Sequence, residues 1–270
     1  MDLNKILADL KDCPCGRKHS LVTRVVEIGS GLTSKTGKIL TDAGFPKKLL
    51  LVADCNTLGA AEGLLESLAD SGFETKKLIY ENMMYARIEQ VREVMALCSD
   101  IDGIISVGSG SLNDICRVAA FETKKRFCIF ATAPSMDGFA SDTAPIIENN
   151  FKTSWKAEQP EVIIADTKIL AKAPCELKAA GFGDMVAKYV GILDWRIANL
   201  LIGEYYCPAV ADITMKGVEK VVSLADKVTA EDAPFIAGMK PVRHDILPEF
   251  FRKIYTFFTY SQIFFGIKPR

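Results

Sequence analysis

The sequence predicts an α/β chain, with a Rossmann-like parallel sheet in its N-terminal part and an all-helical, shortened C-terminal part. Short apolar runs alternate with helix-periodic stretches through about the first 170 residues, the pattern of βαβ crossovers. Glycine- and hydroxyl-rich turns follow several of those runs, and strand signals cease after about residue 168. Leu49-Leu50-Leu51-Val52-Ala53, set between Lys47-Lys48 and Asp54, reads as a strand buried on both faces. A helical stretch from Leu58 to about Ser71 follows, then a strand near residues 77–80. Next come a helix over about 87–97, a strand at 103–107, a helix starting near Ser111 and a strand at 127–131. Val162-Ile163-Ile164-Ala165 reads as the last strand, and 168–172, 175–202, 209–224 and the tail read as helices. The expected division is 1–167 for a dinucleotide-binding α/β domain and 168–270 for a helical metal and substrate domain.

Composition narrows the function classes. The 270 residues are 49% hydrophobic and 25% charged, which excludes a disordered, collagen-like or coiled-coil chain. Thirty-three Lys and Arg against 34 Asp and Glu leave a formal charge of −1, with no basic excess to neutralise a nucleic-acid backbone. Small anionic ligands need only a local site. Eight scattered cysteines, several within apolar runs, read as free thiols rather than a disulfide framework. The first twelve residues form a charged amphipathic pattern, and no apolar run reaches the length of a membrane span. A cytoplasmic setting is the expectation.

Four segments carry chemistry. In Val107-Gly108-Ser109-Gly110-Ser111-Leu112-Asn113-Asp114 a glycine-rich turn leaves a strand and enters a helix. Such a turn offers close backbone approach and free N–H groups to a phosphate, although a plain tight turn has the same composition. Asp54 ends a strand, where a carboxylate suits ribose hydroxyls or caps the next helix. Residues 131–141, ATAPSMDGFAS, form another strand exit, dense in hydroxyls and holding Asp137; turn chemistry alone also accounts for Pro134 and Gly138. In Gly181-Phe182-Gly183-Asp184, the aspartate reads first as a helix cap and second as a hard oxygen ligand sharing a face with Lys188 and Trp195. Cys13-Pro14-Cys15-Gly16-Arg17-Lys18-His19 has the look of a zinc knuckle, but three ligands do not fill a tetrahedral site. It reads as a surface turn.

Taken in order, GSGSLNDICRVAA, ATAPSMDGFASDTAPI, EVIIADTKILAKAPCELKAAGFGDMVAKY and ILDWRIA resemble the sn-glycerol-1-phosphate dehydrogenase family. That family lies within the iron-dependent alcohol dehydrogenase and dehydroquinate-synthase-like superfamily. CPCGRKHS resembles its bacterial branch, and the likeness covers roughly residues 1–225. The resemblance implies that Asp54, Gly110, Ser111, Leu112, Asn113 and Asp114 hold NAD or NADP, together with Thr132, Ala133, Pro134, Ser135 and Ser141. It implies that Asp137 contacts substrate and that Asp184 sits beside substrate and ligates zinc or nickel. The implied reaction interconverts sn-glycerol 1-phosphate, a small phosphorylated polyol, and dihydroxyacetone phosphate.

The pattern breaks after residue 230. Lys240-Pro241-Val242-Arg243-His244 aligns His244 with a metal ligand, while Pro248 stands where the family has a substrate-contacting histidine. No histidine follows His244 to complete the metal set. Phe250-Phe251, Phe257-Phe258 and Phe264-Phe265 recur every seven residues, a packing stripe suited to covering core or to homo-oligomer formation. Two alternatives stand beside the dehydrogenase: a non-catalytic nucleotide-binding remnant, and a related polyol dehydrogenase or dehydroquinate-synthase-like enzyme.

Overall fold

Strands whose residues bury on both faces need helices above and below, and the crossovers supply them. The computed structural model describes residues 7–227. In chain order these form β1 (Val25–Gly29), α1 (Thr36–Asp42), β2 (Lys48–Asp54), α2 (Cys55–Ala60), α3 (Leu64–Asp70), β3 (Glu74–Tyr80) and α4 (Ile88–Ala96). They continue with β4 (Gly103–Gly108), α5 (Gly110–Thr123), β5 (Arg126–Ala131), β6 (Thr143–Glu148), β7 (Phe151–Lys156) and β8 (Val162–Asp166). Helices α6 (Thr167–Ala171), α7 (Cys175–Val186), α8 (Lys188–Ile202) and α9 (Pro208–Val222) follow.

Six strands make one parallel sheet in the order β1-β8-β5-β4-β2-β3. Alternate residues feed two cores. Leu50, Val52, Ile104, Ile129 and Ile163 face the layer of α4 and α5. Leu49, Leu51, Ile105, Val107 and Phe130 face the layer of α1 and α3. β3 lies on one side of β2 and β4 on the other, so the chain reverses direction across the sheet between β2 and β4. Open parallel sheets leave a crevice at such a switch point, beyond the carboxyl ends of the strands.

The expected helix from 58 to 71 divides into α2 and α3 because Gly63 takes φ +88°. The expected helix from 175 to 202 divides at Ala187. Strand β1 and the hairpin β6–β7 were not anticipated. Asn149 and Asn150 join β6 to β7 with φ of +51° and +65°, the left-handed pair of a tight hairpin turn. Cys13 and His19 are buried, and Cys207 at the start of α9 packs against them. The 13–19 segment is a turn with Pro14, Gly16, Arg17 and Lys18 exposed, as expected, but its Cys13 and His19 point inward. His244, Pro248 and the phenylalanine stripe lie outside the described residues.

Candidate functional site

The switch-point crevice is a cleft of about 970 Å³. Asp54 and Thr57 wall it from the β2 side, Ser109 to Leu112 from the β4–α5 turn, and Thr132, Ala133 and Ser135 from the exit of β5. Lys168 and Lys172 line it as well, both exposed. The glycines of the β4–α5 turn do different jobs. A Cβ on Gly108 would meet Leu112 Cδ1 at 2.5 Å and Leu112 Cβ at 2.9 Å, so glycine lets α5 pack against its own strand. A Cβ on Gly110 would meet nothing within 4 Å, because this residue opens onto the cleft at the first position of α5. A helix N-terminus with open space before it suits an anion.

Asp54 lines the cleft and takes the capping part read from the sequence. It caps α2 through a capping box, with Thr57 N donating to Oδ1 at 2.8 Å and Asp54 N donating to Thr57 Oγ1 at 3.0 Å. Met83 N donates to Oδ2 at 3.3 Å, which ties the chain after β3 to the same carboxylate. Each oxygen keeps a second lone pair for a further donor. Ser109 Oγ and Ser135 Oγ are hydrogen-bonded, and Ser109 also donates to Ala133 O at 3.3 Å, locking the two strand-exit loops together.

Beyond the cleft wall, Asp137 and Asp184 come together. Asp184 Oδ2 accepts from Asp137 N at 2.8 Å, and Lys188 Nζ lies 2.6 Å from Asp137 Oδ2. Burial pushes the Asp137 carboxyl up to about 6, with Lys188 opposing and Asp184 reinforcing the shift. The capping role expected first for Asp184 is not realised. Pro174 precedes α7, and Asp184 sits in the last turn of that helix, where the dipole disfavours a carboxylate. Trp195 does not join it; its ring packs edge-on against Tyr205 and Tyr206.

Four expected cofactor residues do not line the cleft. Asn113 is fully buried beneath α5, its Oδ1 accepting from Ser106. Asp114 pairs with Arg117 at 3.6 Å, and burial raises its carboxyl to about 6. Both face the core because the first turn of α5 exposes only one side. Pro134 is buried, and Ser141 Oγ donates to Thr143 O at 2.9 Å in its own turn.

Arg117 gave no signal as a site residue. It is 1% exposed and donates to Gly138 O at 2.7 Å, Phe139 O at 3.0 Å and Thr143 O at 3.1 Å. One guanidinium thus fixes the loop that carries Asp137. A lone arginine within an apolar helix could have raised the question, since such a group buries only with partners. Asp166 was missed too. Its carboxylate caps α6 through Lys168 N and accepts from Gly31 N, Thr33 N and Thr33 Oγ1.

A six-stranded parallel sheet with a cleft at its switch point defines an open α/β protein of nucleotide-binding architecture. More narrowly, the chain belongs to the iron-containing alcohol dehydrogenase family, whose family model matches residues 27–174. It is 37% identical over 190 residues to a glycerol-1-phosphate dehydrogenase [NAD(P)+] of Geobacillus thermodenitrificans, covering 68% of this chain and 47% of that protein. It is 30% identical over 206 residues to the enzyme of the same name in Methanothermobacter thermautotrophicus, covering 76% and 58%. The chain thus spans about half the length of the curated relatives it matches. Its fold resembles that of a glycerol dehydrogenase from Schizosaccharomyces pombe, with a TM-score of 0.73 at 18% identity, covering 93% of this chain and 64% of that one.

Proposed function

We propose that the chain is a metal-dependent oxidoreductase that interconverts sn-glycerol 1-phosphate and dihydroxyacetone phosphate with NAD or NADP. The observation that carries this reading is the switch-point cleft, walled by Asp54 and the Gly110 turn, in a chain related to glycerol-1-phosphate dehydrogenases. The dinucleotide supplies a hydride acceptor or donor when bound. Asp54 has acceptor capacity for ribose hydroxyls, and the open N-terminus of α5 suits the pyrophosphate. Thr132 and Ser135 offer hydroxyls at the β5 exit. Lys168 and Lys172 add positive charge on the same cleft. Asp137 and Lys188, beyond the wall, are the groups proposed to orient a polar substrate.

For the metal, Asp184 and His244 are the proposed ligands. Only Asp184 lies among the described residues, where it is bonded to a backbone N–H and stands in a group containing the Lys188 ammonium. One carboxylate falls short of the three protein ligands usual at a catalytic zinc. The described residues alone do not fit zinc or nickel there. A cytoplasmic setting and a homo-oligomer are part of the same proposal; no helix among the described residues is long and apolar enough to cross a membrane.

Dihydroxyacetone phosphate-dependent oxidation of NADH and NADPH, with and without added zinc or nickel, tests the reading. Metal-stimulated turnover that is lost in Asp184→Asn supports it. Dinucleotide binding without turnover under every metal condition supports the non-catalytic remnant instead.

A further inference from the structure

A second convergence of reactive side chains shares no residue with the cleft. Cys13, Cys15 and His19 meet Cys207, which comes 188 positions after His19. Cys13 Sγ lies 3.4 Å from Cys207 Sγ, Cys15 Sγ 3.2 Å from His19 Nε2, and Cys207 Sγ 3.8 Å from the same nitrogen. All four donor atoms fall within 4.8 Å of one another. Zinc–sulfur bonds of about 2.3 Å at tetrahedral angles place ligand sulfurs about 3.8 Å apart. These three separations lie close to the edges of a tetrahedron around one cation.

The local chain is shaped to deliver those atoms. Gly16 takes φ +72° and donates its N–H to Cys13 O at 3.1 Å, reversing the chain so that Cys13, Cys15 and His19 point to one side. Cys207 is the N-cap of α9, so the start of that helix sets its position. Tyr205 Oη donates to Cys15 Sγ at 3.2 Å, an outer hydrogen bond of the kind that orients a metal ligand. Arg17 stacks 3.9 Å from the centre of the Tyr205 ring and holds it in place. Leu10, Leu21, Val210 and Ile213 close apolar surface around the group.

We propose that Cys13, Cys15, His19 and Cys207 form a structural zinc site that clips the N-terminal segment to the start of α9. A Cys13–Cys207 disulfide would use the sulfur pair 3.4 Å apart but leave Cys15 and His19 paired beside it with no part in the link. Three thiols and an imidazole make a closed, soft donor set, selecting zinc over the hard cations that carboxylates prefer. Binding displaces the three thiol protons to solvent, with no oxidation. Four protein ligands leave no open position, so the site is structural and separate from Asp184.

The full chain, purified under reduction without chelator, should carry stoichiometric zinc. Replacing it with cobalt(II) should give thiolate-to-cobalt charge-transfer absorption and the intense visible bands of a tetrahedral site, which needs no variant. Cys207→Ser should weaken zinc binding roughly a hundredfold or more, and Tyr205→Phe about tenfold. Asp184→Asn should leave this zinc in place. Absence of the cobalt–thiolate absorption in the folded chain overturns the proposal. So does a Cys13–Cys207 disulfide mapped in the reduced preparation, or zinc that leaves with Asp184→Asn and stays with Cys207→Ser.

Discussion

The crevice between β2 and β4 and the thiol–imidazole group at the start of α9 present binding groups by opposite means. The crevice is made by topology: strands end, helices begin, and the groups facing the gap lie within a few residues of those ends. The cysteine–histidine group is made by side chains alone, brought from the two ends of the described chain onto one point. The first arrangement persists as long as the sheet does, so one lost side chain costs ligand affinity more than stability. The second depends on every donor, and it ties together two segments that also share one small apolar cluster.

Zinc removal should therefore show the largest separation between the two regions. A cross-link spanning nearly the whole described chain contributes on the order of 5 kcal/mol by loop-closure entropy. Chelating the zinc should lower the urea midpoint by a corresponding amount, and Cys207→Ser should abolish the chelator effect. Dinucleotide affinity measured on the still-folded protein should hardly move. A parallel loss of affinity would show that the two regions are one cooperative unit.

Arg117 offers the next largest effect. Arg117→Met would leave Asp114 as an uncompensated buried charge and three carbonyls without their donor. Breaking a buried pair in this way costs about 3–5 kcal/mol. Adding Asp114→Asn should restore part of that in equilibrium unfolding. No recovery would mean that Arg117 matters for the 138–143 carbonyls alone.

How legible these regions were in the sequence follows from how they are built. The parallel strands could be read because β2, β4, β5 and β8 bury both faces and so appear as unbroken apolar runs. Asp54 and the Gly108–Leu112 turn could be read because the groups that form the cleft are contiguous with those runs. β1 escaped because its Val-Val-Glu-Ile-Gly is short and only half buried. That Asn113 and Asp114 do not line the cleft was not legible, because motif membership does not say which side of α5 faces it. Asp184 was taken first for a cap because Gly181 and Gly183 look like a break before a new helix, whereas α7 runs unbroken through both. The fourth member of the cysteine cluster could not be read at all: nothing near residue 13 points to residue 207.

A smaller effect separates the two glycines of the β4–α5 turn. Gly108→Ala should cost about 1–3 kcal/mol by overpacking Leu112. Gly110→Ala should change stability by no more than about 0.5 kcal/mol, since its Cβ meets open space. It should nonetheless weaken dinucleotide binding about tenfold, or ~1.4 kcal/mol, by filling the approach to the helix N-terminus. Urea melts and cofactor titrations on both variants check the division; unchanged affinity in Gly110→Ala would remove this turn from the site.

The smallest effect is a slope, and it concerns the buried charge at Asp137. Its carboxyl is raised to about 6, mainly by burial and against the pull of Lys188. An unfolded aspartate titrates near 3.9, so between about pH 4 and 6 the folded chain keeps a proton that the unfolded chain has released. Stability from this group is complete below about pH 4 and declines as pH rises through 6, by at most about 1.4 kcal/mol per pH unit. Asn carries no titrating proton, so Asp137→Asn should gain on the native protein steadily across that window and then hold its advantage. Asp114, also raised to about 6, adds a second contribution of the same sign, so the single variant should remove only part of the native slope. Urea midpoints for both proteins from pH 4 to 6.5 measure the difference directly. If Lys188, 2.6 Å away, outweighs burial, the carboxylate is the favoured form and the variant loses ground as pH rises instead. The direction of that divergence decides whether the Asp137 pocket holds a proton or an ion pair.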